Sequence, residues 1–100
     1  MKQFTVMVGL NDKDTKKRII NKNKAKEVIM RIVGDCTVSD ATGHYTHDNG
    51  EMVTETTIKI DLLFITDTEN LENFLRELLK DFNQESILVV HNGKACYYKG

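Results

Sequence analysis

The residues of this chain best suited to chemistry are a histidine and a glutamate on either side of an Asn-Gly pair. His44 precedes Asn49-Gly50, and Glu55 follows it. An Asn-Gly pair between β-rich runs predicts a two-residue type I′ hairpin turn, because both central residues need a positive φ. The resulting register places His44 directly opposite Glu55. A carboxylate beside an imidazole orients one ring nitrogen, so such a dyad could move a proton.

A structural role is the commoner one for a cross-strand pair of this kind. No Gly-rich phosphate loop, nucleophile elbow or Cys-His spacing accompanies the pair in the sequence. We therefore treat His44 and Glu55 as catalytic candidates for an enzyme alternative, and as part of a contact surface in the leading interpretation.

A metal site is the obvious use for the second histidine of this segment, His47. Side chains alternate along a strand, so His44 and His47 would chelate a metal only across a bulge. Cys36 and Cys96 lack metal-ligand spacing, and we expect both thiols to be reduced. We expect no metal and no other cofactor.

Two other polar segments have chemically interesting residues. Gln84-Glu85-Ser86 lies where a predicted helix ends, and polar side chains there usually satisfy free backbone carbonyls. Residues 11–15 alternate acids as a calcium loop does, but they lack the downstream Gly and Glu, which favours a turn. Both segments are interpreted as structural.

The helices and outer strands that must position these residues follow from hydrophobic periodicity. Residues 2–10 alternate like a half-buried strand, and residues 86–90 form a short apolar strand. Two series with helical spacing predict amphipathic helices; the first is capped by Asn21 or Asn23 and ended by Gly34.

Two hairpins complete the predicted order. A long one runs from about residue 36 to residue 65, between the helices, and Asn92-Gly93 predicts a short one at the C-terminal end. Together the elements indicate an α+β, ferredoxin-like βαββαβ fold, an antiparallel sheet with two helices on one face.

The predicted hairpin register also sorts side chains between the faces of the sheet. It places Tyr45 in the core beneath the helices, and it pairs Asp40 with Lys59 on the helix-free face. His44 and Glu55 join that pair. These four residues form the predicted ligand or partner surface, and partly apolar surroundings suggest that a second copy of the chain covers it.

Composition describes one compact soluble domain over residues 1–100, because a chain of this length is large enough for one core and too small for two. The sequence has no run of apolar residues long enough for a membrane span. Its first residues enter a strand without a signal-peptide core, so a cytoplasmic location is expected.

The charge distribution is uneven. Residues 1–35 contain nine basic and four acidic residues, whereas the remainder is acidic. The basic segment 13–26 suggests nucleic-acid binding as a second alternative, but no aromatic residue lies within it to stack on bases.

We do not expect nucleic acid or membrane as a partner. We expect a homo-oligomer, with a dimer as the simplest closed form.

Several motifs resemble those of an uncharacterised bacterial domain-of-unknown-function family. They are a Thr-Val-x-Asp-Ala-x-Gly-x-aromatic strand, a Gly turn, a strand with Glu, and a late Phe-x-Gln-Glu-Ser segment. The matching positions are Asp40, Gly43, Tyr45, Gly50, Glu55, Gln84, Glu85 and Ser86. The resemblance implies a ferredoxin-like domain similar to PII signalling proteins, and no established reaction.

The leading functional prediction is therefore a small, oligomeric, non-catalytic regulatory domain that binds a small ligand or a protein partner. The enzyme alternative is a cofactor-free dimeric α+β barrel, such as a small monooxygenase or isomerase, that uses His44 and Glu55.

Overall fold

The chain folds into five strands and two helices, which the computed structural model describes over residues 2–46, 48–65 and 68–99. The elements in chain order are β1 (Lys2–Gly9), α1 (Lys22–Val33), β2 (Thr37–Thr46), β3 (Met52–Ile65), α2 (Thr68–Asp81), β4 (Ser86–His91) and β5 (Lys94–Lys99).

The five strands form one antiparallel sheet in the order β2-β3-β1-β4-β5. The first four strands have the ferredoxin-like arrangement, and β5 extends the sheet at one edge. The predicted fold class is confirmed, including the long β2-β3 hairpin and the short terminal one. In the latter, Asn92 and Gly93 have the positive φ values of 51° and 75° that a two-residue turn needs.

Helix α1 has well-defined ends. Of the two predicted caps, Asn21 is the one used, and its side chain accepts a hydrogen bond of 2.8 Å from the backbone N–H of Lys24. Gly34 follows the last turn with a φ of 83°, and its N–H donates to the carbonyl of Met30. These contacts define where the helix begins and ends.

The core lies between the two helices and one face of the sheet. Alternate residues of β1, β3 and β4 point into it, together with the apolar stripes of both helices. Its buried members are Phe4, Val6, Val8, Leu10, Ala25, Val28, Ile29, Ile58, Ile60, Leu62, Leu71, Leu75, Leu78, Leu79, Phe82, Ile87 and Val89. Neither of the two described helices lies over the opposite face of the sheet, which we call the open face.

The predicted register of the β2-β3 hairpin is wrong by one residue. Strand β2 ends at Thr46 and β3 begins at Met52, so the loop is longer than two residues. Gly50 has a φ of 86° while Asn49 does not adopt a positive φ, and Asn49 instead accepts a hydrogen bond from the N–H of Glu51. Without a second positive φ the type I′ turn cannot form.

The shift reverses the faces of β2, because side chains alternate with a period of two. Gly43 rather than His44 is paired with Glu55, and Ser39 rather than Asp40 is paired with Lys59. Odd-numbered residues of β2 therefore lie on the open face, and even-numbered ones lie on the helix side.

Tyr45 is consequently not a core residue. It pairs with Val53 on the open face and is 41% exposed. The prediction for His47 lies outside the described residues.

Candidate active site

The open face holds a half-open cleft of about 890 Å³. Its floor is the sheet, and two loops form its wall: the β1-α1 loop at residues 11–16 and the α2-β4 loop at residues 84–86. Side chains along it include Met7, Lys13, Lys16, Tyr45, Glu51, Val53, Glu55, Glu85, Leu88 and Tyr97. The volume lies within the usual range for sites that enclose small molecules.

The carboxylate of Glu55 has the most closely defined position in this cleft. Its Oε2 accepts a hydrogen bond of 3.0 Å from the backbone N–H of Asn11. The same carboxylate lies against the backbone of Gly9, so closely that a Cβ at residue 9 would come within 2.7 Å of Oε2. Glycine is required there for the acid to lie flat on the sheet.

A second glycine shapes the other side of Glu55. Gly43 is its partner on β2, and a Cβ there would lie 3.0 Å from Oγ1 of Thr57 and 3.4 Å from Cγ of Glu55. Thr57 is buried, and its hydroxyl donates to the carbonyl of Glu55 at 3.4 Å. Two glycines, on the strands at either side of β3, thus leave the space that the glutamate side chain occupies.

The β1-α1 loop is held by the carboxylate of Asp12, which is buried. Its Oδ2 accepts hydrogen bonds of 2.9 Å from the N–H groups of Asp14 and Thr15, and its Oδ1 accepts one of 2.7 Å from Nδ2 of Asn83. These donors favour the charged form, so the pKa of Asp12 lies below its ordinary value, with the Asn83 bond as the largest cause.

The α2-β4 loop makes contact with the same segment. Nε2 of Gln84 donates to the carbonyl of Asn11 at 2.7 Å and to that of Phe82 at 3.1 Å. The second bond satisfies a carbonyl at the end of α2, which is the structural role expected for this polar trio. The first reaches across to the residue whose N–H contacts Glu55.

Two tyrosines border the cleft. Burial raises the pKa of the Tyr45 hydroxyl, and the negative charge of Glu55 adds to the effect. Tyr97 of β5 is 66% exposed beside Leu88 of β4. Both rings provide aromatic surface to the cleft.

The four residues predicted to form one surface are divided between the two faces. Asp40 lies on the helix side, where its carboxylate forms ion pairs with Lys26 and, at 3.2 Å, with Lys22 of α1. The two lysines lower the pKa of Asp40. Lys59 and Glu55 are on the open face, where Lys59 Nζ is 3.9 Å from Asp61 Oδ2.

His44 and Glu55 do not form a dyad. The ring of His44 is exposed, and its Nδ1 lies 3.4 Å from Oγ1 of Thr54, its partner on β3. His44 borders the cleft, but it projects from the other face of the sheet than Glu55. The one-residue register shift separates the two groups.

The basic segment 13–26 is partly neutralised within the chain. Lys22 and Lys26 pair with Asp40, and Lys24 Nζ is 3.4 Å from Glu27 Oε2. Across residues 2–46, 48–65 and 68–99, no group of three His, Cys, Asp or Glu side chains could hold a metal ion. Within those residues, no helix is long and apolar enough to cross a membrane.

Sequence reasoning missed Asn11 and Gly9. Asn11 contributes a backbone N–H, which nearly every residue type has and which the sequence therefore does not reveal. The glycines do leave a signal, since residues without side chains at two strand positions indicate that something approaches the backbone closely.

A sequence model of the S-adenosylmethionine lyase family matches residues 9–99. The chain belongs to this family. The match spans both loops of the cleft, all of β2 to β5 and the glycines beside Glu55. A search of curated proteins finds no match.

Two solved structures have the same fold. A phage S-adenosylmethionine lyase in complex with S-methyl-5′-thioadenosine is 21% identical, with a TM-score of 0.75, over 99% of this chain and 89% of the other. A phage S-adenosylmethionine lyase in the apo state is 22% identical, with a TM-score of 0.71 and the same coverage.

Family membership corrects the functional predictions. A family of lyases is a family of enzymes, so the non-catalytic, PII-like binding role is wrong, as is the description of the function as unknown. The monooxygenase or isomerase alternative and the nucleic-acid alternative do not match the family either. The resemblance to an uncharacterised family is replaced by a defined one.

Proposed function

We propose that this protein cleaves S-adenosylmethionine in the open-face cleft, with S-methyl-5′-thioadenosine as one product. The observation that carries the proposal is a family match over residues 9–99 that includes a carboxylate fixed on the floor of a cleft of suitable size. S-methyl-5′-thioadenosine, the ligand in one similar structure, is what remains when the sulfonium loses its aminobutyrate chain.

The chemistry of this cleavage needs neither water nor an oxidant. The electrons of the broken S–Cγ bond go to sulfur, which becomes a neutral thioether. As that bond breaks, either the substrate's own carboxylate oxygen bonds to Cγ and closes a lactone, or a base removes a Cβ proton and a Cβ=Cγ double bond forms. Neither route adds or removes other atoms, and the lactone and the unsaturated amino acid are isomers of one another.

The cleft offers complementary groups for each part of this substrate. S-adenosylmethionine has two cationic groups, the sulfonium and the α-ammonium, and Glu55 is the carboxylate held in place to attract one of them. Lys13 and Lys16 at the loop wall can meet the substrate carboxylate. Tyr45 and Tyr97 provide surface on which an adenine can stack.

The test is to incubate the purified protein with S-adenosylmethionine and to measure S-methyl-5′-thioadenosine by liquid chromatography. Proton NMR of the second product distinguishes the routes, because only elimination gives vinyl protons. We expect Glu55→Gln to lower kcat/KM by about 10- to 100-fold, the effect of losing a charged hydrogen-bond partner.

Glu72→Gln, on an exposed position of α2, is the matched control and should retain full activity. Absence of the thioether product with the wild-type protein would refute the proposal, and full activity of Glu55→Gln would remove Glu55 from the site.

We also propose that the protein is a homo-oligomer, with a second copy covering part of the open face. Tyr97 is 66% exposed on this face, where it pairs with Leu88, which in turn pairs with Met7, so that apolar surface is continuous across three strands. Light scattering should give a mass that is a multiple of 11.5 kDa. A mass equal to one chain at micromolar concentration would contradict it.

A further inference from the structure

A chain of two hydrogen bonds joins the α2-β4 loop to the carboxylate of Glu55. Nε2 of Gln84 donates to the carbonyl of Asn11 at 2.7 Å, and the N–H of Asn11 donates to Oε2 of Glu55 at 3.0 Å. The backbone of Asn11 is therefore held on one side by an amide and holds an acid on the other.

The amide of Gln84 is itself well anchored. Its backbone N–H donates to the carbonyl of Leu79 at 3.0 Å, and its Nε2 also donates to the carbonyl of Phe82. The neighbouring Asn83 donates to Asp12 and Asp14, so the two loops are attached at more than one point. A fixed donor of this kind can fix its acceptor.

We infer that Gln84 is a positioning residue for Glu55, acting through the backbone of Asn11. The inference rests on the proposed function, in which Glu55 contacts the substrate. Gly9 permits the carboxylate to lie on the sheet, and the Asn11 N–H selects where on the sheet it lies. The backbone N–H groups of Leu10 and Asp12 already anchor this segment, to the carbonyls of Thr56 and Lys17. Gln84 adds the side-chain contact to the carbonyl of Asn11 itself, and this contact sets the orientation of the residue that donates to Glu55.

The first test is Gln84→Met, which keeps the length of the side chain and removes the donor. We expect kcat to fall by roughly 10- to 100-fold, as for a small displacement of a catalytic group. The exchange of the Asn11 amide proton, measured by NMR, should become at least ~10-fold faster, because its hydrogen bond to Glu55 opens more often. Gln3→Met, at the only other glutamine of the sequence, is the matched control and should change neither quantity.

The second test is a double-mutant cycle with Glu55→Gln. If Gln84 acts only through Glu55, its removal has little further effect on catalysis once the acid is gone. Adding Gln84→Met to Glu55→Gln should therefore lower the residual kcat less than about 2-fold. An equal loss in both backgrounds would show that Gln84 supports the fold only. Unchanged exchange of the Asn11 amide in Gln84→Met would also overturn the inference.

A second variant and a product assay distinguish a misfolded protein, a wrong proposed function and a wrong role for Gln84. If Gln84→Met does not fold, Gln84→Asn, whose amide is one methylene shorter, tests the same bond in the same assays. A wild-type protein that forms no S-methyl-5′-thioadenosine refutes the proposed function, whereas the exchange of the Asn11 amide is independent of catalysis and still reports on the Gln84 contact.

Discussion

At the scale of single residues, the site depends on two glycines, whose lack of a side chain leaves space for Glu55. Gly9 and Gly43 lie on different strands, and each leaves room for part of Glu55. Neither residue has the positive φ that makes a glycine necessary for the backbone, so their value lies in the space above the sheet. A methyl group at residue 9 would displace the carboxylate of Glu55, and one at residue 43 would crowd the hydroxyl of Thr57.

Gly9→Ala should separate activity from stability. The added Cβ would overlap with the end of the flexible Glu55 side chain, which can swing away at little cost in folding free energy. We expect lyase activity to fall at least ~10-fold, because a small misplacement of a catalytic group is costly, while the midpoint of urea unfolding stays nearly constant.

Gly93→Ala should lower stability without lowering activity, and it serves as the comparison. Its φ of 75° is unfavourable for alanine, so the free energy of unfolding should fall by about 1 kcal/mol. Activity at 25 °C should be retained. If Gly9→Ala instead lost stability and kept activity, the close approach of Glu55 would be irrelevant to the site.

At the scale of elements, two polar side chains define the start of α1 and the shape of the loop before it. Asn21 caps α1, and Asp12 gathers three donors that close the β1-α1 loop. The loop then presents the Asn11 N–H to Glu55. Local hydrogen bonds of this kind convert an irregular segment into a rigid wall of the cleft.

Asn21→Ala should lower the free energy of unfolding by about 1 kcal/mol, the usual effect of losing an N-cap. Asn23→Ala is the matched control, because Asn23 lies within the first turn of the same helix and alanine is a better helix former there. Chemical denaturation of both variants checks the expectation. Equal losses in the two variants would contradict the assigned cap.

The contribution of Asp12 should depend on pH. Its pKa is lowered from the ordinary value of 3.8 in the folded state, so the carboxylate stabilises the fold above that value. The contribution is lost as the pH falls below 3.8 toward the folded-state pKa. The difference in unfolding free energy between wild type and Asp12→Asn should therefore be larger at pH 7 than at about pH 3. A difference that does not change with pH would argue against this assignment.

At the scale of the whole molecule, the fold was readable from the sequence and the site was not. Helical and strand periodicity report which residues are buried, and burial decides the order of elements. The β2-β3 register depends on the φ of Asn49, and asparagine is compatible with both a positive and a negative φ. The predicted register is wrong by one residue, so it placed Tyr45 and His44 each on the wrong face of the sheet. Glu55 itself was a candidate from the sequence, but its main contact is a backbone N–H, which does not depend on the residue type, and the glycines beside it indicate only a close approach to the backbone.

Ligand binding should stabilise the whole molecule. If S-methyl-5′-thioadenosine binds the folded cleft, a concentration 100 times its Kd adds ~2.7 kcal/mol, which raises the Tm of a chain of this length by more than about 10 °C. Thermal unfolding at several concentrations measures this. A pyrimidine nucleoside is the control ligand, and no shift with the thioether would count against the cleft as its binding site.

The two hydrogen bonds that meet at Asn11 also determine when the site can exist. They join residues 44 and 73 positions apart in the chain. Contacts with such large separation form late, because long loops must close first. During synthesis, the contact of Gln84 with Asn11 can form only after α2 and Gln84 have emerged. On the proposed function, a nascent chain that ends before Gln84 should therefore be less active than the finished chain.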